Sequence, residues 1–591
     1  MATVEVPVLI VGGGGSGLSA SVFLSDHGVG HLLVERRADT SRLPKAHYIN
    51  QRTMEIFRQH GLADDVLEIG ASPEQFGKVR WQTTLTGQGP LDGKVIHEMD
   101  AFGGGALRES YEAAGPVLPV KLPQLRLEPI LRRHAEARNP DRILFGHELV
   151  SLVQDEDGAG SGVTAEIRSV ESGETTTVKA GYVIAADAGR TVGPALGVKM
   201  EGLPALFDAT TAYFSADLSQ HWNEGTVITW FLNPYRADLS SALIEMGPTW
   251  GKNCEEWGLH LPLMGLDRND EQAVTARIRE ILGLPELELT LHEVTSWTVE
   301  AVIAESYRKG RVFLVGDAAH RQPPAVGLGL NTGIQDVHNL AWKLAAVVSG
   351  NAPDALLDTY EAERRPVGQF NLGWAMSAAA HHQVVIDAAV GIGPHVPPER
   401  RTPVFFGYFA PSPMGAAQRA RAAEIFATHR GECQAIGVEN GFAYMQGAVV
   451  PDGTRPPMPA PLGDTYTPTT RPGHLLPHAW VEQDGARVST QDLVGAGGGF
   501  LLLTGPDGAA WADAAALASE KLAVPVTVVR IGAGADATDA DGAWQQLRGT
   551  DGAGAVLVRP DQHVAWRAGG AAEDPASALT EALATVLGQP A

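Results

Sequence analysis

The glycine-rich turn near the N-terminus constrains the fold of this chain more than any other feature. The stretch VPVLIVGGGGSGLSASVFLSDHG begins as a β-branched apolar run, turns at the glycines and continues as a helix, and HLLVER then begins a second strand. Gly12, Gly14 and Gly17 form a GxGxxG motif around Ser16. The first glycine permits a sharp turn, the second lets a pyrophosphate approach, and the third lets the helix pack closely on the strand. This order predicts a dinucleotide-binding unit rather than a structural glycine loop.

An acidic residue follows the motif where such a unit requires it. Glu35 closes the second predicted strand, in the sequence HLLVE. Its carboxylate can bind a ribose hydroxyl. The N-terminus of the preceding helix offers free N–H groups and a positive dipole end to phosphates.

A second stretch rich in glycine and proline, GDAAHRQPPAVGLGLNTG, follows the apolar run GRVFLV. Asp317 lies at the carboxyl end of this predicted strand, where it can accept hydrogen bonds from a polyol. Pro323–Pro324 predicts an extended, rigid segment. Gly327 and Gly329 let the backbone approach a flat ligand, because neither residue has a Cβ atom.

The next residues, LNTGIQDVHNLAWKLAAVV, predict an amphipathic helix. Its first N–H groups, from Leu330 and Asn331, would point back at the ligand, and a helix N-terminus favours negative charge nearby. A reduced flavin is an anion with its charge near one edge of the pyrimidine ring. We therefore interpret the stretch as a flavin site, with an ordinary Pro/Gly loop as the alternative.

The acidic composition argues against some classes of binding partner. The formal charge of -24 at pH 7 argues against a nucleic-acid partner, and no block of Lys and Arg indicates a membrane surface. Cys254 and Cys433 are the only cysteines, which fits a reducing compartment and excludes a disulfide framework. The N-terminal apolar run has no basic segment before it, and no apolar run reaches the ~18 residues of a membrane-spanning helix. We expect a cytoplasmic protein.

Several further stretches carry a family resemblance. KAHYINQRTMEIFRQHGL, LPQLRLEPIL, SWTVEAV and YEAERRPV accompany the two glycine motifs. Together they resemble the single-component (class A) FAD-dependent aromatic hydroxylases, in the branch of phenol hydroxylase and 2,4-dichlorophenol 6-monooxygenase. The resemblance is strong over about the first 380 residues and weaker beyond them. It implies FAD as cofactor, NADPH or NADH as cosubstrate, and an aromatic small molecule and dioxygen as substrates.

The resemblance also implies roles for individual residues. Besides the glycine motifs, the implied cofactor contacts are Glu35 and Arg36 at the adenosine ribose, Lys45 near the phosphates, Gln124 and Asp317 at the ribityl chain, Pro324 at the isoalloxazine, and the N–H groups of Leu330 and Asn331 at its carbonyl edge.

The middle motif of the family is altered here. Such proteins usually carry Asp-Gly followed by Ser and often by Val-Arg, in a segment that serves both FAD and the nicotinamide cofactor. This chain reads ADAGRTVGPALG, so Asp187 is kept, Ala188 replaces the Gly and Thr191 the Ser, and Gly193-Pro194 stand at the Val-Arg position. FAD binding is expected to persist through Asp187, whereas nicotinamide handling is expected to differ.

The predicted fold class is α/β, with a Rossmann-like FAD-binding domain of the glutathione-reductase type, an interleaved β-sheet substrate domain and a thioredoxin-like C-terminal domain. The predicted bounds are 1–75, 107–195 and 300–395 for the FAD domain, 76–106 and 196–299 for the substrate domain, 396–462 for a helical and Pro-rich connection, and 463–591 for the C-terminal domain. That last domain contains no cysteine, so we expect a structural or homodimer-forming role rather than a redox role.

The implied chemistry is oxygen transfer from a flavin C(4a)-hydroperoxide to a phenol, which reacts better as its phenolate. A positioned base helps, because a phenol of pKa ~10 is mostly protonated at pH 7. His47 is the candidate base, with a histidine satisfied by the loop as the alternative. Tyr48 and Trp297 are candidate pocket residues or plain core, His320 is expected to be structural, and no histidine spacing predicts a metal site.

Three functions remain open from the sequence. The first is an FAD- and NAD(P)H-dependent hydroxylase of a phenolic or polycyclic aromatic. The second keeps the flavin but performs a Baeyer–Villiger-type or drug-modifying oxygenation. The third is a non-catalytic flavin-binding protein, which the altered ADAGRT segment favours.

Overall fold

The computed structural model describes residues 2–155, 162–235, 241–263, 265–393 and 396–590. Among these residues the strands, numbered β1 to β24 in chain order, are Ala2–Val11, His31–Glu35, Tyr48–Ile49, Lys78–Gln82, Val95–Asp100, Val120–Lys121, Ile143–Phe145, His147–Gln154, Val163–Ser169, Thr175–Ala185, Met200–Ala216, Thr226–Phe231, Ser241–Gly247, Glu256–His260, Leu289–Ala304, Arg308–Lys309, Val312–Leu314, His320–Arg321, Trp480–Gln483, Ala486–Ser489, Phe500–Thr504, Val526–Arg530, Ala555–Val558 and Val564–Ala568.

The α-helices of the described residues are numbered α1 to α17 in the same way. They are Gly15–Asp26, Gln51–Gln59, Ala63–Ile69, Pro73–Phe76, Arg108–Ala114, Gln124–Arg138, Val192–Ala195, Glu271–Leu282, Leu328–Val348, Asp358–Val390, Pro398–Phe409, Pro413–Ala427, Arg430–Cys433, Ile436–Glu439, Ala510–Leu522, Ala543–Leu547 and Pro575–Leu587. None of them is long and apolar enough to cross a membrane.

The first sheet carries the cofactor motifs at one edge. Its strand order is β16-β17-β10-β1-β2-β7, with β9 paired to β10 and β8 to β9. Strands β1, β2, β7, β10 and β17 run parallel, and their apolar residues are buried because helices such as α1 and α9 join the same core. The carboxyl ends of parallel strands meet at one edge, so Gly12, Asp187 and Asp317 come together just beyond β1, β10 and β17.

The second sheet is largely antiparallel and has the order β18-β15-β11-β14-β13-β12-β4-β5. The long strands β11 and β15 pair along most of their length. Strand β15 runs to Ala304, and β18 at His320–Arg321 pairs with it. The sheet therefore includes residues that were predicted to belong to the FAD domain, and the stretch from β17 to β18 passes from one sheet to the other.

The C-terminal part forms a separate four-stranded sheet with the order β22-β21-β23-β24. Strand β21 is parallel to β22 and antiparallel to β23, and β23 is antiparallel to β24. Helices α15 and α17 share one core with this sheet. This arrangement is consistent with the predicted thioredoxin-like fold.

A buried polar network joins the C-terminal domain to the first domain. Arg559 donates to both carboxylate oxygens of Glu363, at 2.8 and 2.9 Å, and to Asp561 at 3.0 Å. Lys343 donates to Glu363 at 2.7 Å, and Arg52 donates to the carbonyl of Asp561 at 3.1 Å. All five side chains are buried, so each charge depends on its partners to offset the cost of leaving water.

We predict that Arg559→Ala destabilises the protein by about 3–5 kcal/mol, because it leaves the carboxylates of Glu363 and Asp561 buried with one partner fewer. Thermal unfolding of the variant measures the effect. Arg455→Ala removes an exposed arginine from the Pro-rich connection and serves as the matched control. Equal melting temperatures for the two variants would contradict the prediction.

Candidate active site

A cavity of about 890 Å³ is lined by residues of both large sheets, a volume in the range of ligand sites. The predicted cofactor residues that line it are Gly12, Gly14, Ser16, Glu35, Arg36, Lys45, Gln124, Asp187, Asp317, Pro324, Gly327, Gly329 and Leu330. The predicted substrate-side residues His47, Tyr48 and Trp297 line the same cavity. Gly17 and Asn331 lie outside its lining.

The three glycines of the first motif have different surroundings. Gly12 has φ +112°, and a Cβ atom there would lie 2.3 Å from the carbonyl oxygen of Ala186. A Cβ atom on Gly17 would lie 1.9 Å from the carbonyl oxygen of Gly12. A Cβ atom on Gly14 would instead meet only the Glu128 carboxylate, at 3.5 Å. Gly12 and Gly17 are therefore required by the fold, whereas Gly14 leaves room that opens into the cavity.

Glu35 is fixed by the glycine turn and by its own loop. Its carboxylate accepts hydrogen bonds from the N–H of Gly13 at 2.8 Å and from the N–H and Nε of Arg37, each at 2.9 Å. Burial alone would raise the pKa of Glu35, but these hydrogen bonds outweigh it and lower the pKa. Glu35 is thus an ionised acceptor at the cavity wall, and the exposed Arg36 lies beside it.

The extended conformation predicted for Pro323–Pro324 is wrong at Pro324. Pro324 has φ −72° and ψ 2°, and its carbonyl accepts the N–H of Gly327 at 3.3 Å, so the chain turns there. Val326 and Gly327 follow with φ +65° and φ +70°. A Cβ atom on Gly327 would lie 3.0 Å from the Tyr48 ring, whereas one on Gly329 would meet nothing within 4 Å. Gly329 therefore leaves the backbone open to the cavity.

Helix α9 begins at Leu328. The prediction placed its start two residues later, at Leu330. A helix with this start leaves the N–H groups up to Leu330 without intrahelical partners, whereas that of Asn331 falls within the helical ladder. The buried Asn331 side chain donates to the carbonyls of Tyr48 and Gly327 and accepts the N–H of Asn50. We therefore expect Leu330 and the residues before it, rather than Asn331, to offer N–H groups to a ligand. The Asn331 side chain instead fixes the loops around them.

The remaining predicted cofactor residues come from loops and a helix that line the cavity. Asp317 is exposed in the turn after β17, and Lys45 is exposed in the loop before β3. Gln124 is the first residue of α6 and donates to Glu128 at 2.5 Å. Asp187 accepts the N–H groups of Thr191 at 2.6 Å and Val192 at 2.8 Å. These residues of four separate elements all line one ligand-sized space.

His320 lies in a buried hydrogen-bond network, in keeping with the structural role expected for it. Its Nε2 lies 2.8 Å from Asp336, whose carboxylate also accepts from Arg364 at 2.8 Å and from the N–H of Gly316 at 3.1 Å. Burial would raise the pKa of Asp336, but Arg364 and His320 outweigh it and lower the pKa. The network fixes the turn that holds Asp317.

His47 lies in the cavity wall, and its surroundings make it a weak base. Burial, together with the nearby Lys121 and His260, lowers the pKa of His47 to about 3. His47 is therefore neutral at pH 7, and its buried Nδ1 has no hydrogen-bond partner among the described residues. It can accept a hydrogen bond from a ligand far more readily than it can hold a proton.

The two predicted pocket aromatics differ in burial. Tyr48 is buried, donates to Glu439 at 2.9 Å, and has its ring centroid 4.4 Å from that of Phe102. Trp297 lies on β15 and is 39% exposed, so it stands at the open side of the cavity. Tyr48 therefore shapes the interior, and Trp297 shapes an entrance.

Several lining residues were not predicted. They are Val79, Thr211, Ile228, Trp230, Met246, His260, His429, Glu432 and Cys433. Most come from single positions on strands of the second sheet or from the connection after residue 396, where no motif identifies them. His429 and Glu432 also meet His382 closely enough to hold a metal ion, a grouping that the spacing of the histidines did not predict.

We predict that Gly14→Val abolishes FAD binding without unfolding the protein, because its side chain fills cavity space rather than protein backbone. Gly17→Val is expected to unfold the domain, because its side chain would overlap the Gly12 carbonyl. FAD released by acid and the far-ultraviolet circular dichroism of each variant distinguish the two effects. A yellow, FAD-containing Gly14→Val protein would contradict the prediction.

Comparisons with known proteins agree with this geometry. An FAD binding domain family matches residues 5–375, and the aromatic-ring hydroxylase C-terminal family matches residues 469–590. The chain is 35% identical to 2,4-dichlorophenol 6-monooxygenase of Delftia acidovorans, over 99% of this chain and 98% of that protein. It is 36% identical to tetracenomycin A2 monooxygenase-dioxygenase of Streptomyces glaucescens, over 99% of this chain and 98% of the relative.

A solved structure shares the whole architecture. The flavin-dependent monooxygenase PieE, in complex with FAD and substrate, matches with a TM-score of 0.92 and 38% identity over 100% of both chains. The predicted family, fold class, enzyme class and FAD cofactor are thereby confirmed. The chain belongs to the family of FAD-dependent aromatic-ring hydroxylases.

Proposed function

We propose that this protein hydroxylates a phenolic or polycyclic aromatic compound, consuming NADPH or NADH and dioxygen. The observation that carries the proposal is the single continuous cavity that joins the glycine turn at Gly14 to the second sheet at Trp230 and Met246. A cofactor at the first end and an aromatic substrate at the second would share one cavity. The names of the relatives, which include a dichlorophenol monooxygenase and a tetracenomycin monooxygenase-dioxygenase, support this substrate class.

The residues at the first end fit FAD. The open space at Gly14 and at Gly329 suits a pyrophosphate and a flat ring, since a side chain at either position would project into the cavity. Gly14 caps α1 without any side-chain hydrogen bond, so the N–H groups of the first turn are free for phosphate oxygens. When bound there, FAD supplies the transfer of electrons from the nicotinamide and the activation of dioxygen.

The N-termini of two helices converge at this end. A Cβ atom on Gly15, the first residue of α1, would lie 2.6 Å from Cδ1 of Leu330 in the first turn of α9. Both helices therefore direct the positive ends of their dipoles toward the same region. The chain stabilises negative charge on the phosphates through α1 and on the ring system through α9.

The residues at the second end favour a flat apolar substrate. Val79, Phe102, Ile228, Trp230 and Met246 provide aliphatic, aromatic and thioether surface in the lining. Such surface binds ring systems through area removed from water, while a few polar groups fix the orientation. His47 stands between the two ends, where its neutral ring can accept a hydrogen bond from a substrate hydroxyl.

We predict that an added phenol or polycyclic phenol accelerates the anaerobic reduction of the bound flavin by NADPH, because substrate and cofactor occupy one cavity. Stopped-flow absorbance of the purified FAD-loaded protein, with and without a panel of such compounds, measures the rate. The methyl ethers of the same compounds are the controls. A reduction rate that no aromatic changes would count against the proposal.

We predict that His47→Ala lowers hydroxylation by about tenfold for phenols of ordinary pKa, the value of one lost hydrogen bond. The loss should shrink for phenols that are already ionised at the assay pH, because a phenolate has no O–H to donate to His47. Product and hydrogen peroxide formed per NADPH are to be measured across phenols of graded pKa, with FAD content as the control. An equal loss for every phenol would show that His47 only shapes its loop.

The altered middle motif bears on nicotinamide use. Ala188 has φ +57° and lines the cavity, a conformation that costs a residue with a Cβ atom roughly 1–2 kcal/mol relative to glycine. We propose that this strained alanine lowers the affinity of the loop for the nicotinamide cofactor. Asp187 keeps its backbone hydrogen bonds to Thr191 and Val192, which supports unimpaired FAD binding.

We predict that Ala188→Gly lowers the dissociation constant for NADPH several-fold and leaves the FAD content unchanged. Ala523→Gly is the matched control, because Ala523 also has a positive φ, +55°, but ends α15 in the C-terminal domain. Both variants should relieve similar strain, and only Ala188→Gly should alter nicotinamide binding. Identical dissociation constants for both variants and the wild type would remove the proposed link.

We further propose that the protein works in the cytoplasm and that its C-terminal domain supports a homodimer. Both cysteines are free and buried, which suits a reducing compartment. Analytical ultracentrifugation of the full chain tests the dimer, and a sedimenting monomer at micromolar concentration would contradict it.

A further inference from the structure

Three ionisable side chains meet in the wall of the substrate end of the cavity. His429 Nε2 lies 2.7 Å from Glu432 Oε2, and His382 Nδ1 lies 3.3 Å from the same oxygen. The two histidine nitrogens are 3.0 Å apart. His382 comes from the long helix α10, and Glu432 from the short helix α13. None of the three belongs to a motif that the function has so far used.

The cluster holds Glu432 as an ionised acceptor. Burial alone would raise the pKa of Glu432, but hydrogen bonds from His382 and His429 outweigh it and hold the pKa well below its usual range. Two further histidines, His97 and His381, lie near this pair and interact with it. Glu432 therefore carries its charge at neutral pH.

One carboxylate oxygen is left for a ligand. Both histidine contacts go to Oε2, while the Glu432 side chain is 15% exposed and lines the cavity. The surroundings are apolar and aromatic: the Trp230 ring lies 4.2 Å from that of His382, and the Trp81 ring 5.6 Å from that of His429. An ionised oxygen in such a wall requires a hydrogen-bond donor once a ligand has displaced water.

Helix α13 is also fixed close to the predicted flavin ring. It packs against the turn Ala325–Gly327 that follows Pro324. The carbonyl of Cys433 accepts the N–H of Phe102 at 2.8 Å, and the carbonyl of Gly431 accepts Trp374 Nε1 at 3.0 Å. A group bound to Glu432 is thus held at a defined distance from the turn that faces the flavin.

We propose that Glu432, positioned by His382 and His429, binds a hydroxyl group of the aromatic substrate and so determines which ring carbon faces the flavin. A substrate hydroxyl other than the one that donates to His47 donates to Oε1, and the two histidines donate to Oε2. The subsite selects compounds that carry a donor at the matching position and rejects those with a methoxy or carboxylate group there. The inference rests on the proposed hydroxylase function and specifies the substrate class of that same cavity.

A divalent cation is the other occupant that two imidazoles and a carboxylate can hold. Ligands around a tetrahedral zinc ion, at Zn–N distances near 2.05 Å, stand about 3.3 Å apart. Two of the three separations here, 2.7 and 3.0 Å, are shorter, and the 2.7 Å between His429 and Glu432 matches a hydrogen bond. The geometry therefore favours a hydrogen-bonded carboxylate.

The test compares a naphthalenediol with its monomethyl ether in the FAD-loaded full-length protein. Dissociation constants for 2,6-dihydroxynaphthalene and 6-methoxy-2-naphthol are obtained from the perturbation of the flavin absorbance. We expect the wild type to bind the diol at least about tenfold more tightly than the monomethyl ether, because only the diol can donate to both His47 and Glu432. Glu432→Gln should reduce this preference to within threefold, while Glu424→Gln, the same change at an exposed position on α12, should keep it.

Two histidine variants test the positioning role. His429→Gln retains a side-chain N–H that can donate to Glu432 and should keep the preference for the hydroxyl compound. His429→Leu removes that donor and should lose the preference. An equal loss in both variants, or none in either, would overturn the positioning role even if Glu432→Gln proved too unstable to titrate.

The outcomes distinguish a failure of the proposed subsite from a failure of the proposed function. If phenols stimulate NADPH oxidation but Glu432→Gln discriminates as the wild type does, the subsite is wrong and the hydroxylase function stands. If no aromatic stimulates the wild type, the function fails and the subsite with it. One equivalent of zinc per chain that survives dialysis against a chelator, measured by mass spectrometry, would overturn the subsite by making Glu432 a metal ligand.

Discussion

The close approach of the first strand to the first helix is the constraint on which the site depends. A Cβ atom on Gly17 would lie 1.9 Å from the Gly12 carbonyl oxygen, so the helix can lie this near the strand only because residue 17 is glycine. Ser16, one residue before, lies between Gly316 and Gly333, where added Cβ atoms would stand 2.6 and 2.4 Å from its hydroxyl. The two glycine motifs, three hundred residues apart in the sequence, are thereby packed against each other through side chains that have to be small.

Buried ion pairs connect the cofactor turn and the C-terminal domain to helix α10. Asp336 connects the Gly316 turn to Arg364 on α10 through hydrogen bonds. Glu363, which precedes Arg364 on that helix, binds Arg559 of the C-terminal domain. Adjacent residues on one helix thus serve the cofactor turn and the domain contact. The C-terminal domain contributes to the stability of the cofactor site without contributing to its lining among the described residues.

The sequence predicted what is encoded locally and missed what depends on distant packing. The glycine turn at Gly12 and the position of Glu35 at the end of the second strand follow from a short strand-turn-helix-strand pattern. The turn at Pro324 was missed, because it depends on the following residues taking positive φ beside Tyr48. The low pKa of His47 depends on its burial and on the nearby Lys121 and His260, and Glu432 reaches the cavity from a helix with no recognisable motif.

The proposed reaction passes an oxygen atom from dioxygen to an aromatic ring that shares one cavity with FAD. Turnover under ¹⁸O₂ with a phenol that stimulates NADPH oxidation, followed by mass spectrometry of the product, tests this transfer. We expect a product that carries one oxygen atom from ¹⁸O₂ for each hydroxylation. Hydrogen peroxide as the only oxygen-derived product, or a hydroxyl group labelled from H₂¹⁸O instead, would contradict it.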